Sequence, residues 1–425
     1  MNNQRLELVA DFYEYTMANG YFNKNMEDRI AYFDVFFRKV PDEGGYAIVA
    51  GLEQIINYIR NLSFDEEDIS YLRKQNKFSE EFLNYLENFR FTGDIWAIPE
   101  GTVVFPNEPL ITVKAPIIQA QLLETMLLLT TNHQSLIATK TSRIVKEAQG
   151  RPVMEFGARR AHGINAAVEG ARAAIIGGAV GTSCTLSAKE FNVPASGTMA
   201  HSWIQSFDSE YEAFKAYAEL YPDDCIFLID TYNTIESGLP NAIKVFNEVL
   251  KTKGYRPKAV RLDSGDLAYL SKKVRKILDE AGYEDCKICA TNSLDEYLIK
   301  SLIEQDAKID LFGVGENLIT AKSEPVFGGV YKLVALEKDK KIVPKIKVSE
   351  NTAKVTNPSF KKVYRFYDNE TKKAIADVIT LADEIIDERE YMIFDPQNPW
   401  KKKVLKDYSI RLLQEKIFEE RKINI

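Results

Sequence analysis

The stretch that decides the fold is AVRLDSGDLAYLSKKVRKILDEAGYEDCKICAT, residues 259–291. It begins with the apolar run AVRLD, passes through a glycine-containing turn and an amphipathic segment, and ends in a second apolar run, KICAT. A short apolar run, a polar turn and a helix-length segment form the pattern of a βα unit. Because the runs are apolar without alternation, they are typical of parallel strands that are buried on both faces.

The same pattern recurs from about residue 153 to residue 320. The successive apolar runs are PVMEF, AAIIGG, CIFLID, AVRLD, KICAT and IDLFG. Two amphipathic segments between them predict helices: FDSEYEAFKAYAELY has an acidic first turn, and NSLDEYLIKSLIEQ begins with an Asn-Ser pair that we expect to cap it. Several βα units in series predict an α/β fold, either a (β/α) barrel or an open doubly wound sheet.

The segments on either side of this region have strand patterns that are interrupted by proline and glycine turns. They comprise residues 30–50, 94–113 and 329–380. We therefore predict an α/β barrel domain over residues 121–324 and a second, mostly β domain built from residues 1–120 and 325–425. The lysines between residues 338 and 362 favour a solvated strand face, with an anion site as the alternative.

Composition narrows the class of protein. The chain has 425 residues, 45% of them hydrophobic, and a net charge of −7, which gives no overall electrostatic reason to bind nucleic acid or an anionic membrane. The sequence shows no secretory pattern and no apolar stretch of membrane-spanning length, so we predict a cytoplasmic protein without nucleic-acid or membrane partners. Four scattered cysteines predict neither a disulfide framework nor a protein metal site, since CKIC lacks a second pair.

Polar residues follow the apolar runs, at the strand ends where parallel α/β folds bind ligands. Arginines bind phosphate with two hydrogen bonds, and glycines allow backbone N–H groups to approach a phosphate. Aspartates can hold ribose hydroxyls or the magnesium that a pyrophosphate carries. The set therefore predicts an enzyme that acts on an anionic, phosphorylated sugar. Its members are Glu155, Phe156, Arg159 and Arg160 of EFGARRAHG, Asp230 of LIDTYNT, Arg261, Asp263, Ser264 and Asp266 of VRLDSGDL, and Gly313 and Gly315 of FGVGENLIT.

His201 lies in GTMAHSW and is one of three histidines in the chain. A lone histidine is more often structural than catalytic, so this stretch alone favours a structural residue. His133 and His162 are also interpreted as structural.

Several segments together resemble the nicotinate phosphoribosyltransferase family, in the same order along the chain. They are ADFYEYTM, FFRKVPDEGGYAIVAGLE, EFGARRAHG, GTMAHSW, LIDTYNT, VRLDSGDL, FGVGENLITAKSEPVFGGVYKL and VSENTAKVTNP. The resemblance implies an irregular (β/α) barrel with a β-rich domain, and a homodimer with active sites shared between subunits. It also implies the transfer of phosphoribosyl from 5-phosphoribosyl 1-pyrophosphate to nicotinate, giving nicotinate mononucleotide for NAD salvage. The reaction would be coupled to ATP hydrolysis, with Mg²⁺ carried by the pyrophosphate or ATP.

The resemblance also implies residue roles. His201 matches the histidine that ATP phosphorylates, and a neutral imidazole is a competent nucleophile for that step. Asp263 is expected to act beside it in catalysis. The other implied roles belong to binding. Around the base, Phe156 stacks on the pyridine, Tyr13 of the partner subunit forms the opposite wall, and Thr198 and Arg261 contact nicotinate. Arg159 lies near the base and phosphate, Asp230 and Asp263 face the ribose, and Gly313 and Gly315 form the phosphate loop.

Ser183 of GTSCT bears on which base is used. The related nicotinamide-using enzyme carries an aspartate at this position, which would repel a carboxylate, whereas a serine hydroxyl can donate to one. The sequence therefore favours nicotinate. A nicotinamide- or quinolinate-using relative and a silent phosphosugar-binding sensor stay open as alternatives. Two departures from the family pattern are Glu316, where many members have threonine, and TNPSF in place of T-N-P-G.

Overall fold

The structure is a computed structural model that describes residues 6–348, 350, 355–387, 389–396, 398–419 and 422–423. The chain divides into two compact units. The first unit is formed by the residues up to Ser135 together with those from Val326 onward, and the second by Leu136–Pro325. In the described residues, no helix combines the length and the apolar character that crossing a bilayer requires.

The helices and strands fall into three groups along the chain. The opening part of the first unit contains α1 (Phe12–Phe22), β1 (Ile30–Phe37), β2 (Ala47–Ile48), α2 (Leu52–Asn61), α3 (Glu66–Lys74), α4 (Glu80–Glu87), β3 (Asp94–Ala97), β4 (Val103–Val104), β5 (Ile111–Pro116), α5 (Ile117–Gln121) and the start of α6 (Glu124–Glu147). The second unit continues with β6 (Val153–Glu155), α7 (Ile164–Ile176), β7 (Gly181–Thr182), α8 (Thr185–Phe191), α9 (His201–Gln205), α10 (Glu210–Leu220), β8 (Ile226–Leu228), α11 (Leu239–Val245), β9 (Ala259–Leu262), α12 (Leu267–Glu280), β10 (Lys287–Ala290), α13 (Glu296–Glu304), β11 (Leu311–Val314) and α14 (Glu316–Ile319). The closing part of the first unit contains β12 (Gly329–Lys338), β13 (Lys341–Pro344), β14 (Lys361–Asp368), β15 (Ala374–Leu381), β16 (Glu390–Asp395), β17 (Asn398–Lys406), β18 (Tyr408–Leu412), β19 (Glu415–Glu419) and β20 (Lys422–Ile423).

The second unit is built on a six-stranded sheet in the order β7–β6–β11–β10–β9–β8. Every recorded pairing in it is parallel, and helices connect most of the successive strands. The sheet forms an irregular half-barrel, which confirms the predicted α/β fold. The strand β9 lies between β8 and β10, so residues 259–291 supply two neighbouring strands of this sheet.

Two details of the prediction are wrong. Residues 173–178, AAIIGG, do not form a strand, because residues 164–176 form the helix α7. The segment is rich in alanine, which has the highest helix propensity, and Val168 and Ala171 are buried at helical spacing. The cap of α13 is Asp295 and not the Asn-Ser pair, since the Asp295 carboxylate accepts the Leu298 N–H at 2.8 Å.

A stack of aromatic rings forms the core behind β8. The rings of Phe214 and Phe227 lie 4.5 Å apart and nearly parallel, and those of Phe227 and Phe246 lie 5.3 Å apart. Tyr283 meets Phe246 at an angle of 62°. All four side chains are buried. This packing fixes β8 and therefore the segment that follows its carboxyl end.

The first unit contains a seven-stranded sheet in the order β13–β12–β1–β5–β3–β19–β20. Strand β1 pairs antiparallel with β12 on one side and with β5 on the other, so early and late parts of the chain alternate in one sheet. Two further sheets come from the closing part of the chain: β15–β14–β18 and β16–β17. The predicted β-rich composition of both flanks is confirmed. The helices α1 to α4 are an addition that the strand patterns did not indicate.

A buried ionic cluster lies in this first unit. The Arg365 guanidinium donates to Asp377 at 2.7 and 2.6 Å and to the Val103 carbonyl at 2.6 Å. Glu108 is 3% exposed, accepts the Phe105 N–H, and shares a hydrogen bond with Asp377. Burial, followed by that hydrogen bond, raises the pKa of Glu108 to about 9. Glu108 is therefore protonated near neutral pH and can donate to Asp377.

Candidate active site

Five strands of the parallel sheet end in residues that lie at one edge of the second unit. Because parallel strands run in one direction, their carboxyl ends meet at a common edge. One residue near the carboxyl end of each strand lies at this edge, and the sequence predicted four of these five residues, all except Thr291, as part of a site. In the order β6, β8, β9, β10 and β11, these residues are Phe156, Asp230, Asp263, Thr291 and Gly315.

His201 and Asp263 lie close together at this edge. His201 is the first residue of α9, and its Nε2 is 3.6 Å from Oδ2 of Asp263. Its other ring nitrogen, Nδ1, is 3.0 Å from the hydroxyl of Thr231. The His201 side chain remains 39% exposed, so a substrate can reach the ring. Thr231 and Asp263 therefore orient the imidazole, while part of the ring stays exposed to solvent.

Arg261 connects three segments of the site. Its Nη1 donates to the Thr198 hydroxyl at 3.0 Å and to the Met199 carbonyl at 3.2 Å, just before α9. Its Nε donates to the Thr291 hydroxyl at 3.1 Å, and its Nη2 lies 3.3 Å from Asp263 Oδ1. The predicted pair Thr198 and Arg261 is thus in direct contact. The guanidinium is fixed in one orientation by these bonds.

The Asp230 carboxylate holds in place the turn that begins with Asp263. Oδ2 of Asp230 accepts the backbone N–H of Asp263 at 2.9 Å and the Ser264 hydroxyl at 2.6 Å. The Thr291 hydroxyl donates to Oδ1 of Asp263, which leaves Oδ2 of that carboxylate turned towards His201. Oδ1 of Asp230 is buried and has no hydrogen-bond partner among the described residues. A ribose hydroxyl or a divalent cation would satisfy this oxygen.

A cavity of about 250 Å³ opens beside these residues. Four cationic side chains and two carboxylates contribute to its wall, so the balance of charge favours an anionic ligand. The lining residues are Phe156, Arg159, Arg160, Arg261, Asp263, Thr291, Asn292, Ser293, Gly313, Gly315, Glu316, Asn317 and Lys322.

The ring of Phe156 packs on Gly313. A Cβ atom at Gly313 would lie 2.6 Å from Cδ2 of Phe156, so a larger residue there would displace the ring. Gly313 lies within β11 and is buried, whereas Gly315 lies in the turn after it and is half-buried. The expected phosphate loop stays a prediction. Apart from the expected phosphate loop, the packing against Phe156 therefore also requires a glycine at position 313.

Glu316 faces two cations of the cavity wall. Its carboxylate lies 2.8 Å from Lys322 Nζ and 3.9 Å from the Arg160 guanidinium. The hydrogen bond from Lys322 and the charges of Lys322 and Arg160 lower the pKa of Glu316. The carboxylate is therefore ionised and pairs with Lys322 and Arg160, two cations that could otherwise bind a phosphate.

Arg159 lines the cavity and is exposed on the turn after Phe156. Ser183 does not line the cavity and is exposed immediately after β7. Tyr13 belongs to the first unit, where it is 44% exposed on α1. Burial and the neighbouring Glu124 raise the pKa of Tyr13, so its hydroxyl stays protonated. His162 is exposed and does not line the cavity.

Two residues of the site were not identified from the sequence: Thr231 and Thr291. Thr291 ends an apolar run and Thr231 follows Asp230, so their positions at strand ends were the available signal. The sequence marks Glu155 as a polar residue at a strand end but assigns it no role. Contacts between distant segments distinguish them from other polar residues, and spacing along one segment does not reveal such contacts.

Neither the buried cysteines nor the acidic side chains of the described residues form a metal site made of protein ligands alone. Burial raises the pKa of Cys286 and of Cys289 to about 12, which disfavours the thiolate form that binds metals. Across the part of the chain that the structure describes, no group of three or more histidine, cysteine or acidic side chains is arranged to hold a metal ion.

Comparison with known families covers nearly the whole chain. Residues 152–380 match the "Nicotinate phosphoribosyltransferase (NAPRTase) family". Residues 8–132 match the N-terminal domain described for nicotinate phosphoribosyltransferase, and residues 360–424 match the corresponding C-terminal domain.

Individual relatives and solved structures agree with this match. The chain is 46% identical to the nicotinate phosphoribosyltransferase of Bacillus subtilis over 98% of its length and 84% of the relative's. It is 30% identical to that of Homo sapiens over 89% of this chain and 80% of the relative. The crystal structure of human nicotinic acid phosphoribosyltransferase superimposes with a TM-score of 0.86 at 26% identity, covering 97% of this chain and 89% of that one.

Proposed function

The chain belongs to the nicotinate phosphoribosyltransferase family, and we propose that it transfers the phosphoribosyl group of 5-phosphoribosyl 1-pyrophosphate to nicotinate. The products are nicotinate mononucleotide and pyrophosphate. The observation that carries this proposal is the cationic cavity beside the His201–Asp263 pair, because it combines an anion-binding wall with a nucleophile.

In this reaction the pyridine nitrogen forms a bond to C1 of the ribose while the bond from C1 to the pyrophosphate oxygen breaks. The pyridine must therefore be held at a fixed angle to the sugar. The ring of Phe156 offers a stacking surface, and Gly313 leaves room for that ring because it has no Cβ atom. Arg261, held by Thr198 and Thr291, presents a cation for the nicotinate carboxylate.

The phosphates of the sugar substrate need positive charge and metal. Arg159 in the cavity wall supplies positive charge, and Arg160 and Lys322 add to it to the extent that a phosphate displaces their pairing with Glu316. Asp230, through its unpartnered Oδ1, and Asp263 suit Mg²⁺, which favours a few carboxylates together with substrate oxygens. When bound, Mg²⁺ neutralises charge on the departing pyrophosphate.

We propose that ATP phosphorylates His201 and thereby drives the transfer. The γ-phosphorus forms a bond to an imidazole nitrogen, ADP leaves, and water later hydrolyses the phosphohistidine. Nδ1 is 3.0 Å from Thr231 and Nε2 is 3.6 Å from the Asp263 carboxylate, so a proton on either nitrogen has an acceptor and the other nitrogen is left as the nucleophile.

We further propose a homodimer in which the partner's Tyr13 covers the pyridine. Support comes from α1 and the residues before it, which expose four large apolar or aromatic side chains close together in sequence: Val9 is 37% exposed, Phe12 41%, Met17 38% and Tyr13 44%. Exposed apolar patches of this kind are typical of protein interfaces.

The test is mononucleotide formation from nicotinate, 5-phosphoribosyl 1-pyrophosphate and Mg²⁺, with and without ATP, with nicotinamide and quinolinate as competing bases. We expect product from nicotinate and more product when ATP is present. Product from nicotinamide or quinolinate alone would assign the chain to another base. Tight binding of the sugar pyrophosphate without turnover of any base would identify a sensor instead.

A further inference from the structure

Glu155 is a buried carboxylate next to the residues that are expected to face the pyridine. It is 0% exposed at the end of β6, one residue before Phe156. One of its carboxylate oxygens accepts the backbone N–H of Gly157, and the other accepts the hydroxyl of Thr182 at 2.6 Å. The same side chain thus bonds to the turn after β6 and to the end of β7.

The backbone strengthens this connection. The N–H of Ser183 donates to the Glu155 carbonyl at 2.9 Å, and the N–H of Phe156 donates to the Val314 carbonyl at 2.8 Å. The Thr182 hydroxyl also accepts the N–H of Cys184 at 2.9 Å. Phe156 and Ser183, the two residues expected to face the base, are therefore each adjacent to a group that Glu155 holds.

The turn that Glu155 holds has little room to adjust. A Cβ atom at Gly157 would lie 2.6 Å from Cβ of Ile319, and one at Gly315 would lie 3.0 Å from the Phe156 carbonyl oxygen. Because the backbone is this closely packed, a change at the Glu155 carboxylate is transmitted to Phe156 and is not absorbed locally.

A buried carboxylate destabilises a fold unless donors surround it. Burial raises the pKa of Glu155, while the hydrogen bonds from Thr182 and Gly157 oppose that rise. An apolar side chain would fill this position without a desolvation penalty, but it could not accept from both segments at once.

We propose that Glu155 is a positioning residue that fixes the spacing between the Phe156 ring and the Ser183 side chain, and so sets the preference of the site for nicotinate over nicotinamide. This inference rests on the proposed function. Glu155 acts through its two neighbours and does not itself touch the substrate.

The test is Thr182→Val, which removes the hydroxyl but keeps the shape of the side chain. We expect at least a fivefold rise in the KM for nicotinate and a smaller ratio of nicotinate to nicotinamide turnover, with the KM for 5-phosphoribosyl 1-pyrophosphate unchanged within twofold. Thr182→Ser restores the hydroxyl and should restore most of the preference. Glu155→Gln should act in the same direction as Thr182→Val.

Thr141→Val is the matched control. Thr141 is also buried in the second unit, but its hydroxyl donates to the Ile137 carbonyl within α6. This variant should leave the KM for nicotinate within twofold of the parent. If the folded Thr182→Val protein behaves in the same way, or if both substrate KM values rise together, Glu155 has no specific role in base recognition.

Hydrogen–deuterium exchange gives a second readout that needs no turnover. In Thr182→Val, exchange should increase in residues 181–185 and also in residues 155–160, because the shared carboxylate has lost one donor. An increase confined to residues 181–185 would overturn the proposed coupling. A parent enzyme that makes no mononucleotide would instead contradict the proposed function, so the two failures are distinguishable.

Discussion

His201 presents one ring nitrogen to Asp263 at 3.6 Å, while Thr231 contacts the other at 3.0 Å. The Asp263 carboxylate is itself fixed, because its second oxygen accepts from Thr291 and lies near Arg261. The imidazole is therefore oriented by a chain of contacts that reaches β10, two strands away from β8 in the sheet order.

His201→Ala is expected to fold and to lose ATP hydrolysis that depends on substrate. It should also lose the increase in mononucleotide formation that ATP gives, because the alanine offers no acceptor for the γ-phosphoryl group. The measurement is ADP release and product formation with and without ATP. His162→Ala is the control, since His162 is exposed and outside the cavity wall. Unchanged coupling in His201→Ala would exclude a phosphohistidine at this position.

Arg261→Lys should raise the KM for nicotinate at least tenfold. A lysine ammonium cannot reproduce the planar set of bonds to Thr198, Met199 and Thr291. Steady-state kinetics with nicotinate varied will check this. The matched control is Arg275→Lys, because Arg275 likewise makes several hydrogen bonds, two of them to backbone carbonyls, but does not line the cavity. An equal KM increase in both variants would indicate a general loss of stability.

Ser183→Asp should shift the base preference from nicotinate towards nicotinamide. An aspartate at this exposed position repels the nicotinate carboxylate and can accept from the amide of nicotinamide. The ratio of kcat/KM for the two bases is the quantity to measure. Thr185→Asp adds the same charge at the first residue of α8 and should leave the ratio near that of the parent. A ratio that does not change in Ser183→Asp would place Ser183 outside base recognition.

Glu316→Gln should lower the KM for 5-phosphoribosyl 1-pyrophosphate at low salt. The expected change is small, about two- to fivefold, because an exposed ion pair contributes little free energy and is screened by salt. The substitution frees Lys322 and Arg160 to meet a phosphate. Glu280→Gln removes a similar exposed pairing with Lys276 on α12 and serves as the control. A higher KM in Glu316→Gln would show that this carboxylate assists binding, for example through Mg²⁺.

Glu108→Gln should increase stability at pH 8 more than at pH 5. The folded-state pKa of Glu108 is raised from its ordinary value of 4.5 to about 9, so the folded protein keeps a proton that the unfolded chain releases above pH 4.5. Stability contributed by Glu108 is therefore complete at low pH and is lost progressively as the pH rises towards 9.

A glutamine in this position stays neutral and can still donate to Asp377. Thermal unfolding of parent and variant at several pH values will measure the difference. A difference in Tm that is the same at pH 5 and pH 8 would contradict a raised pKa at Glu108.

Local patterns in the sequence predicted most of the parallel sheet. The runs that end at Asp230, Asp263 and Thr291 contain strands β8, β9 and β10. They could be predicted because each run is short, apolar and followed by a polar turn. AAIIGG met the same description but belongs to a helix, since its alanines favour that state and an apolar run of this length fits either element.

Residues of the site could be predicted where they follow a strand or match a family motif. Their mutual contacts could not. Glu155 bonds to Thr182 and Arg261 bonds to Thr198, and each pair is formed by chain segments that the fold brings together from a distance. Residue spacing along one segment carries no information on such pairs, so the contacts of Glu155 were identified only from the structure.

The alternation of early and late strands in the first unit has a consequence for synthesis on the ribosome. Strand β1 has one neighbour, β5, soon after it emerges, but its other neighbour, β12, is translated only after the whole second unit. Strand β3 waits longer still for β19. During translation these strands present unpaired edges, and such edges favour aggregation until their last partner strands have been synthesised.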